Sequence, residues 1–234
     1  MRMIREYEQT GVAMTCRSLD EYVRMFDLKA EELRGKPILD VAAGASSFAA
    51  EARMLGALAS AADPRYAMAP DELVVEAKAE IESSTAKLQR LQEQFDWSYY
   101  GTLDQHRAGR LAALERFRQD FADEGAGAYT AASLPHLPFE DEQFALVLCS
   151  HFLFLYGEQF DADFHREAVK ELLRVCRKGG TVRIYPLLTL RFRKPPGLDE
   201  LLEDIRGMGV EAELLPSSLP FIPSSVHYLR LTKR

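Results

Sequence analysis

The sequence predicts an α/β fold: a mainly parallel sheet with an antiparallel C-terminal edge, interrupted by an inserted helical hairpin at about 70–125. Three observations carry this expectation. Short apolar runs alternate with helix-periodic segments on either side of the insertion, the pattern of parallel strands joined by covering helices. The insertion itself consists of two long stretches of helix formers with no strand-like run between them. Two strand-like runs close the chain without an intervening helix, and such a short connection implies antiparallel pairing. No repeat, low-complexity tract or Pro/Gly-rich linker divides residues 1–234, so one domain is expected.

Taken in order, "RSLDEYVRMFDL" (17–28) opens a helix with a capping box, Ser18 and Glu21, and places Leu19, Tyr22, Val23 and Phe26 on one face. After Gly35 and Pro37, "ILDV" (38–41) reads as a strand, "SSFAAEARMLGA" as a helix ended by Gly56, and "ALASAAD" (57–63) as a second strand. Alanine is a poor strand former, so the last assignment rests on its place in a βαβ unit. "DELVVEAKAEIESSTAKLQRLQEQF" and "TLDQHRAGRLAALERFRQDF" form the hairpin, with "DWSYYG" (96–101) between them. "FALVLCSHFLFLY" (144–156) is continuously apolar, as suits a strand buried on both faces. "DADFHREAVKELLRVC" (161–176) has helical spacing, and "RKGGTVRIYPLL" (177–188) gives a turn and a β-branched strand. A helix at 198–209 and strands at 210–216 and 226–234 complete the chain.

Composition narrows the function classes. With 47% hydrophobic and 28% charged residues the chain resembles an ordinary soluble protein. No apolar stretch approaches the ~18 residues that span a bilayer. "MRMIREYEQT" lacks the apolar core of a signal peptide, so no membrane partner and a cytoplasmic location are expected. Cys16, Cys149 and Cys176 show neither disulfide nor zinc-ligand spacing and read as buried thiols, and no metal site is expected. A net charge of −7 argues against a nucleic-acid partner, although "RIYPLLTLRFRK" (183–194) is locally basic. That stretch reads as alternate charged positions on a strand and loop. Oligomeric state leaves no sequence signal.

"ILDVAAGASSF" (38–48) carries the chemistry. In open parallel sheets, ligands bind beyond the carboxyl ends of strands. A glycine there lets backbone approach a ligand, and the free N–H groups of the next helix can receive an anion. Ser46 or Ser47 suits the N-cap of that helix. Asp63 follows about twenty residues after Gly44, the separation expected of a carboxylate that accepts from a ribose diol.

This combination resembles the class I S-adenosylmethionine-dependent methyltransferases, whose Rossmann-like fold has seven strands. Asp40 and Gly44 match the acid and middle glycine of the family's first motif, with Ala42 and Ser46 at its outer glycine positions. "AADPRY" (61–66) resembles the second motif, "ASLPHLPFEDEQFALVLCSH" (132–151) the third, and "ELLRVCRKGGTVRIYP" (171–186) the fourth. The resemblance implies S-adenosylmethionine as cofactor, held by Ala42, Ala43, Gly44, Ala45, Ser47, Asp63, Pro64, Ser133, Leu134 and Ser150. Ser133 stands where the family often has an acid for the adenine, and Ala145 where it often has an aspartate. A cofactor without phosphates tolerates the thinned glycine loop better than a dinucleotide would. Gly44→Val is expected to abolish cofactor binding while leaving the fold largely intact.

Methyl transfer requires alignment and, for an O–H or N–H acceptor, removal of a proton. His151 and Tyr156 are the candidate catalytic residues, and His151 as a cofactor-packing side chain is an equally weighted reading. Tyr99, Tyr100 and His106 are candidates for acceptor binding, with packing of the hairpin onto the domain as the competing account. His165 reads as a surface or helix-packing residue. A small-molecule acceptor leads. An RNA or protein acceptor, and a non-catalytic adenosylmethionine-binding protein, remain open.

Overall fold

Helix α1 (Leu19–Phe26) begins where its capping pair lies, the backbone N–H of Ser18 donating to the Glu21 carboxylate at 2.9 Å. The computed structural model describes residues 7, 9, 11–124, 127–157 and 159–234, and most of the leader reading at 1–10 lies outside them. The apolar face of α1 is buried at Tyr22, Met25 and Phe26, and Tyr22 stacks on Phe48 with ring centroids 4.4 Å apart.

Strand β1 (Pro37–Val41), helix α2 (Phe48–Met54) and strand β2 (Leu58–Ala62) form the expected βαβ opening, β1 and β2 pairing in parallel with Asp40 opposite Ala61. Tertiary context overrides the weak strand propensity of β2. Its alanines are small enough to share a core with Tyr66, Phe117, Phe121 and Tyr129, which pack edge-to-face and stacked beneath the insertion. Helices α3 (Pro70–Leu91) and α4 (Leu103–Glu124) are the hairpin, and their buried Leu73, Ala77, Ile81, Ala113, Leu114 and Phe117 join the same core. The connecting segment contributes Phe95, Trp97 and Tyr100 to a cluster with Leu88, Leu91 and Phe221.

Strands β3 (Tyr129–Thr130), β4 (Phe144–Ser150) and β5 (Cys176–Tyr185), helices α5 (Ala162–Val175) and α6 (Leu198–Gly207), and strands β6 (Glu211–Pro216) and β7 (His227–Thr232) complete the fold. The seven strands run β3-β2-β1-β4-β5-β7-β6, with β7 antiparallel to both β5 and β6. Every residue of β4 is buried, as its unbroken apolar run requires. His165 is a helix-packing residue, its ring bonded to the carbonyls of Asp161 and Leu153. The three cysteines are free and buried. Arg183, in the basic stretch, donates to the Phe26 carbonyl at 2.5 Å. Among the described residues no helix is long and apolar enough to cross a membrane.

The chain winds outward from β1 to β3 and returns beside β1 as β4. The carboxyl ends of β1 and β4 therefore flank the point where strand order reverses.

Candidate functional site

At this point the 42–47 loop turns sharply, with Ala42 at φ 55° and Gly44 at φ 58°. The Gly44 N–H donates to Asp63 Oδ2 at 2.9 Å, and the Arg65 N–H to Asp63 Oδ1 at 3.0 Å. The Tyr66 hydroxyl donates to the Gly44 carbonyl at 2.8 Å. Asp63 is 3% exposed, and burial raises its pKa despite both backbone donors. Below it Asp40 is fully buried, accepting from the Tyr22 hydroxyl at 2.8 Å through one oxygen while the other has no partner. Burial pushes the Asp40 carboxyl up to about 8.

The glycine, the acid and the free helix end suit an adenosine-bearing cofactor by residue type, but their space is filled by the chain itself. Residues 12–17 cross the loop. A Cβ on Gly44 would lie 3.1 Å from both N and O of Thr15. The Arg17 carbonyl accepts from Ser46 Oγ at 2.9 Å, from the Ser47 N–H at 2.9 Å and from Ser47 Oγ at 3.3 Å. The expected serine cap is divided accordingly. Ser47 occupies the N-cap position of α2 but turns its hydroxyl to Arg17 and Glu51, while Ser46 Oγ accepts from the Phe48 N–H. Ala43, Ala45 and Ser47 are buried beneath this crossing, so in this conformation the loop does not admit the cofactor. Gly44→Val would collide with Thr15 backbone in a left-handed conformation, which corrects the expectation that the fold would be indifferent to it.

The remaining cofactor candidates are dispersed. Pro64 starts an exposed 3-10 turn after β2, Ser133 is exposed, and Leu134 packs into the core on the other face of the sheet. Ser150, at the end of β4, places its Oγ 2.9 Å from His151 Nδ1.

On the far side of residues 13–17 lies a cavity of about 120 Å³, on a measure by which one water needs ~10–15 Å³. The segment itself, α3, α4 and the turn after β4 enclose it, with Phe95, Phe192 and Phe221 among its walls. Of the sequence candidates, His106, His151 and Tyr156 line it. Tyr99 is instead bonded to Asp20 beside α1, and Tyr100 stands behind Arg110, so neither forms a wall. His151 sits at φ 54°, a left-handed backbone rarely adopted by non-glycine residues. Burial, then the charges of Arg17 and Arg110, hold its pKa well below the usual imidazole range. The same causes take His106 down to about 2. The Tyr156 hydroxyl accepts from the Ala13 N–H at 2.8 Å, and burial raises its pKa. β4 ends at Ser150, short of the strand expected over 144–156, and Tyr156 belongs to the tight turn that follows.

Arg17, Glu21 and Arg110 were not among the sequence candidates, yet Arg17 and Arg110 line this cavity and Glu21 stands behind them. Arg110 Nη1 donates to both Glu21 oxygens at 2.7 Å, and Arg17 Nη1 to Oε1 at 3.0 Å. Burial alone would raise the Glu21 carboxyl, and the two guanidinium groups outweigh it and hold it at about 2. Arg17 Nε, Glu80 Oε1 and His106 Nδ1, all on cavity residues, have no hydrogen-bond partner among the described residues. One signal was legible: His106 and Arg110 lie at helical spacing from Ala113, Leu114 and Phe117, so α4 carries two basic groups on its buried stripe. No group of three His, Cys, Asp or Glu among the described residues could hold a metal.

A family model described as a methyltransferase domain matches residues 110–184. An uncharacterized protein of Methanocaldococcus jannaschii, MJ0045, is 34% identical over 191 residues, covering 81% of this chain and 84% of that one. Among solved structures, the magnesium protoporphyrin IX methyltransferase of Synechocystis with bound adenosylmethionine has a TM-score of 0.45 at 9% identity, covering 86% of this chain and 72% of its own. The 1,6-didemethyltoxoflavin-N1-methyltransferase of Burkholderia thailandensis has a TM-score of 0.42 at 14% identity, covering 85% and 70%. At 34% identity over most of both chains the protein belongs to one family with MJ0045, and its motifs lie in order along β1, β2, β4 and β5 of its Rossmann-like sheet, with a methyltransferase-domain match over residues 110–184.

Proposed function

We propose that the chain methylates a small molecule held in the cavity between residues 13–17, the hairpin and the turn after β4. The carrying observation is the lining: an aromatic-walled space with a few convergent polar groups, set between the insertion and the strand ends. The net charge of −7 opposes an RNA acceptor.

In this reading each polar group has a distinct role. His151 stays neutral, so its imidazole orients an acceptor O–H or N–H and is a weak store for the released proton. Tyr156 stays protonated; its oxygen already accepts from Ala13, leaving its hydrogen to donate to a bound molecule. His106, neutral and stacked on Phe221, offers a further polar contact beside the aromatic wall. Ala42, Ala43, Gly44, Ala45, Ser47, Asp63 and Ser150 remain the proposed cofactor-side residues, with Pro64 and Ser133 flanking the adenine side, while Leu134 belongs to the core.

The covering of the loop by residues 12–17 favours a second reading, a protein that keeps the fold without turnover. Incubation with adenosylmethionine labelled in its methyl group, together with a low-mass cell extract and separately with RNA and protein fractions, separates these readings. Label is expected in a low-mass product. Label confined to RNA or protein overturns the acceptor class, and no transfer under any condition supports the non-catalytic reading.

A further inference from the structure

We propose that residues 12–17 are a removable strap, and that the cofactor seat formed by the 42–47 loop and Asp63 opens only when this strap lifts. The inference rests on the family's cofactor and holds whichever acceptor is used.

Position is the first ground. The strap fills the approach to the backbone N–H groups at the switch point between β1 and β4, where the fold binds its ligands. Strap and cofactor therefore compete for one surface, and with the strap in place its backbone also walls the loop off from the acceptor cavity.

The second ground is how it is fastened. Its contacts with the body are a set of hydrogen bonds, among them Arg110 Nη1 to the Cys16 carbonyl at 2.9 Å, and the burial of two side chains, Met14 and Cys16. Arg65 Nη2 donates to the Val12 carbonyl at 2.6 Å, Ala13 donates to Tyr156, and the Arg17 carbonyl takes the two serines. The strap belongs to no helix or strand, so its release breaks no sheet ladder. At its start Gly11 has φ 66° with nothing within 4 Å of a Cβ, a position where the backbone can turn, and at its end Ser18 opens α1.

Lifting must also withdraw Met14 and Cys16 from the core. In the closed state Cys16 is 1% exposed, and burial pushes its thiol up to about 12, so it is shielded and unreactive. Cys149 and Cys176 lie at strand positions that do not move with the strap. Cys16 is therefore a built-in reporter of strap position.

The test uses the full chain, a maleimide and peptide mass spectrometry, with S-adenosylhomocysteine as the probe and calorimetry to measure its binding. Saturating adenosylhomocysteine is expected to speed Cys16 labelling at least tenfold, with Cys149 and Cys176 unchanged. Arg65→Met, which removes one fastener, is expected to tighten adenosylhomocysteine binding roughly tenfold, because apparent affinity scales with the open fraction and one hydrogen bond to a charged group is of this size. Binding that leaves Cys16 labelling unchanged or slower, or equal affinity in the two proteins, overturns the strap. Absence of binding in both proteins overturns it as well. A failed acceptor assignment appears only in the label-transfer experiment and leaves both readouts intact.

Discussion

The Gly44 N–H and the Asp63 carboxylate, nineteen residues apart, are joined by a 2.9 Å hydrogen bond that ties the first loop to the end of the second strand. The acid thus holds the loop's shape before any ligand arrives. Asp63→Ala would leave the N–H groups of Gly44 and Arg65 unpaired in a buried site, at ~1–3 kcal/mol each. Chemical denaturation should show a loss of about 2–4 kcal/mol, and Asp63→Asn, which keeps one acceptor and sets an NH2 against the other N–H, should also be destabilised. A variant as stable as the parent would mean that the loop holds its shape without the acid.

Among the described residues Glu21 is the carboxylate paired with both Arg17 and Arg110. Removing it strands two buried guanidinium groups, so Glu21→Gln is expected to cost about 3–5 kcal/mol. Because its folded pKa, about 2, lies below the ordinary 4.5, its contribution is present above pH 4.5 and is lost as pH falls toward 2. Urea midpoints measured between pH 3 and 6 should therefore decline more steeply on acidification in the parent than in the variant.

Asp40 has the opposite sign. Its folded pKa of about 8 exceeds the ordinary 3.8, so the native state holds a proton there that the unfolded chain releases, and stability falls as pH rises between those values. Asp40→Asn keeps an acceptor for Tyr22 without the ionisation. Thermal melts should show a flatter decline from pH 6 to 9 in the variant, and parallel curves would place the ionisation elsewhere.

His151 combines a left-handed backbone with a place on the cavity wall. Asparagine tolerates that backbone better than most residues. Under the proposed function, His151→Asn should keep the parent's Tm within a few degrees while lowering kcat about 10²-fold. A normal kcat would reduce His151 to a packing residue.

Elements governed by local periodicity were readable in the sequence. The capping pair Ser18 and Glu21 placed α1, the unbroken apolar run placed β4, and the two helix-forming stretches placed α3 and α4. The resemblance also paired Gly44 with Asp63, which the fold brings into contact. What escaped was set by the third dimension. Glu21 looked like a cap and is also the centre of a buried ion cluster, because Arg110 arrives from eighty-nine positions away. Residues 12–17 have no periodicity, so nothing local marked them as the cover of the loop. The serines were read as a helix cap because Arg17 could not be seen above them.

The union of Arg110 with Glu21 gives the hairpin a status of its own. It packs on the body through a continuous apolar core and is keyed to α1 by Arg110 on Glu21 and by Tyr99 on Asp20, while Glu80 and His106 face the cavity. Arg110 serves both docking and the cavity wall, whereas Glu80 and His106 serve the wall. A lineage could exchange the recognition set, turn by turn, while the key stays in its lock, and the hairpin is in that sense a cassette through which one sheet can be refitted to new acceptors.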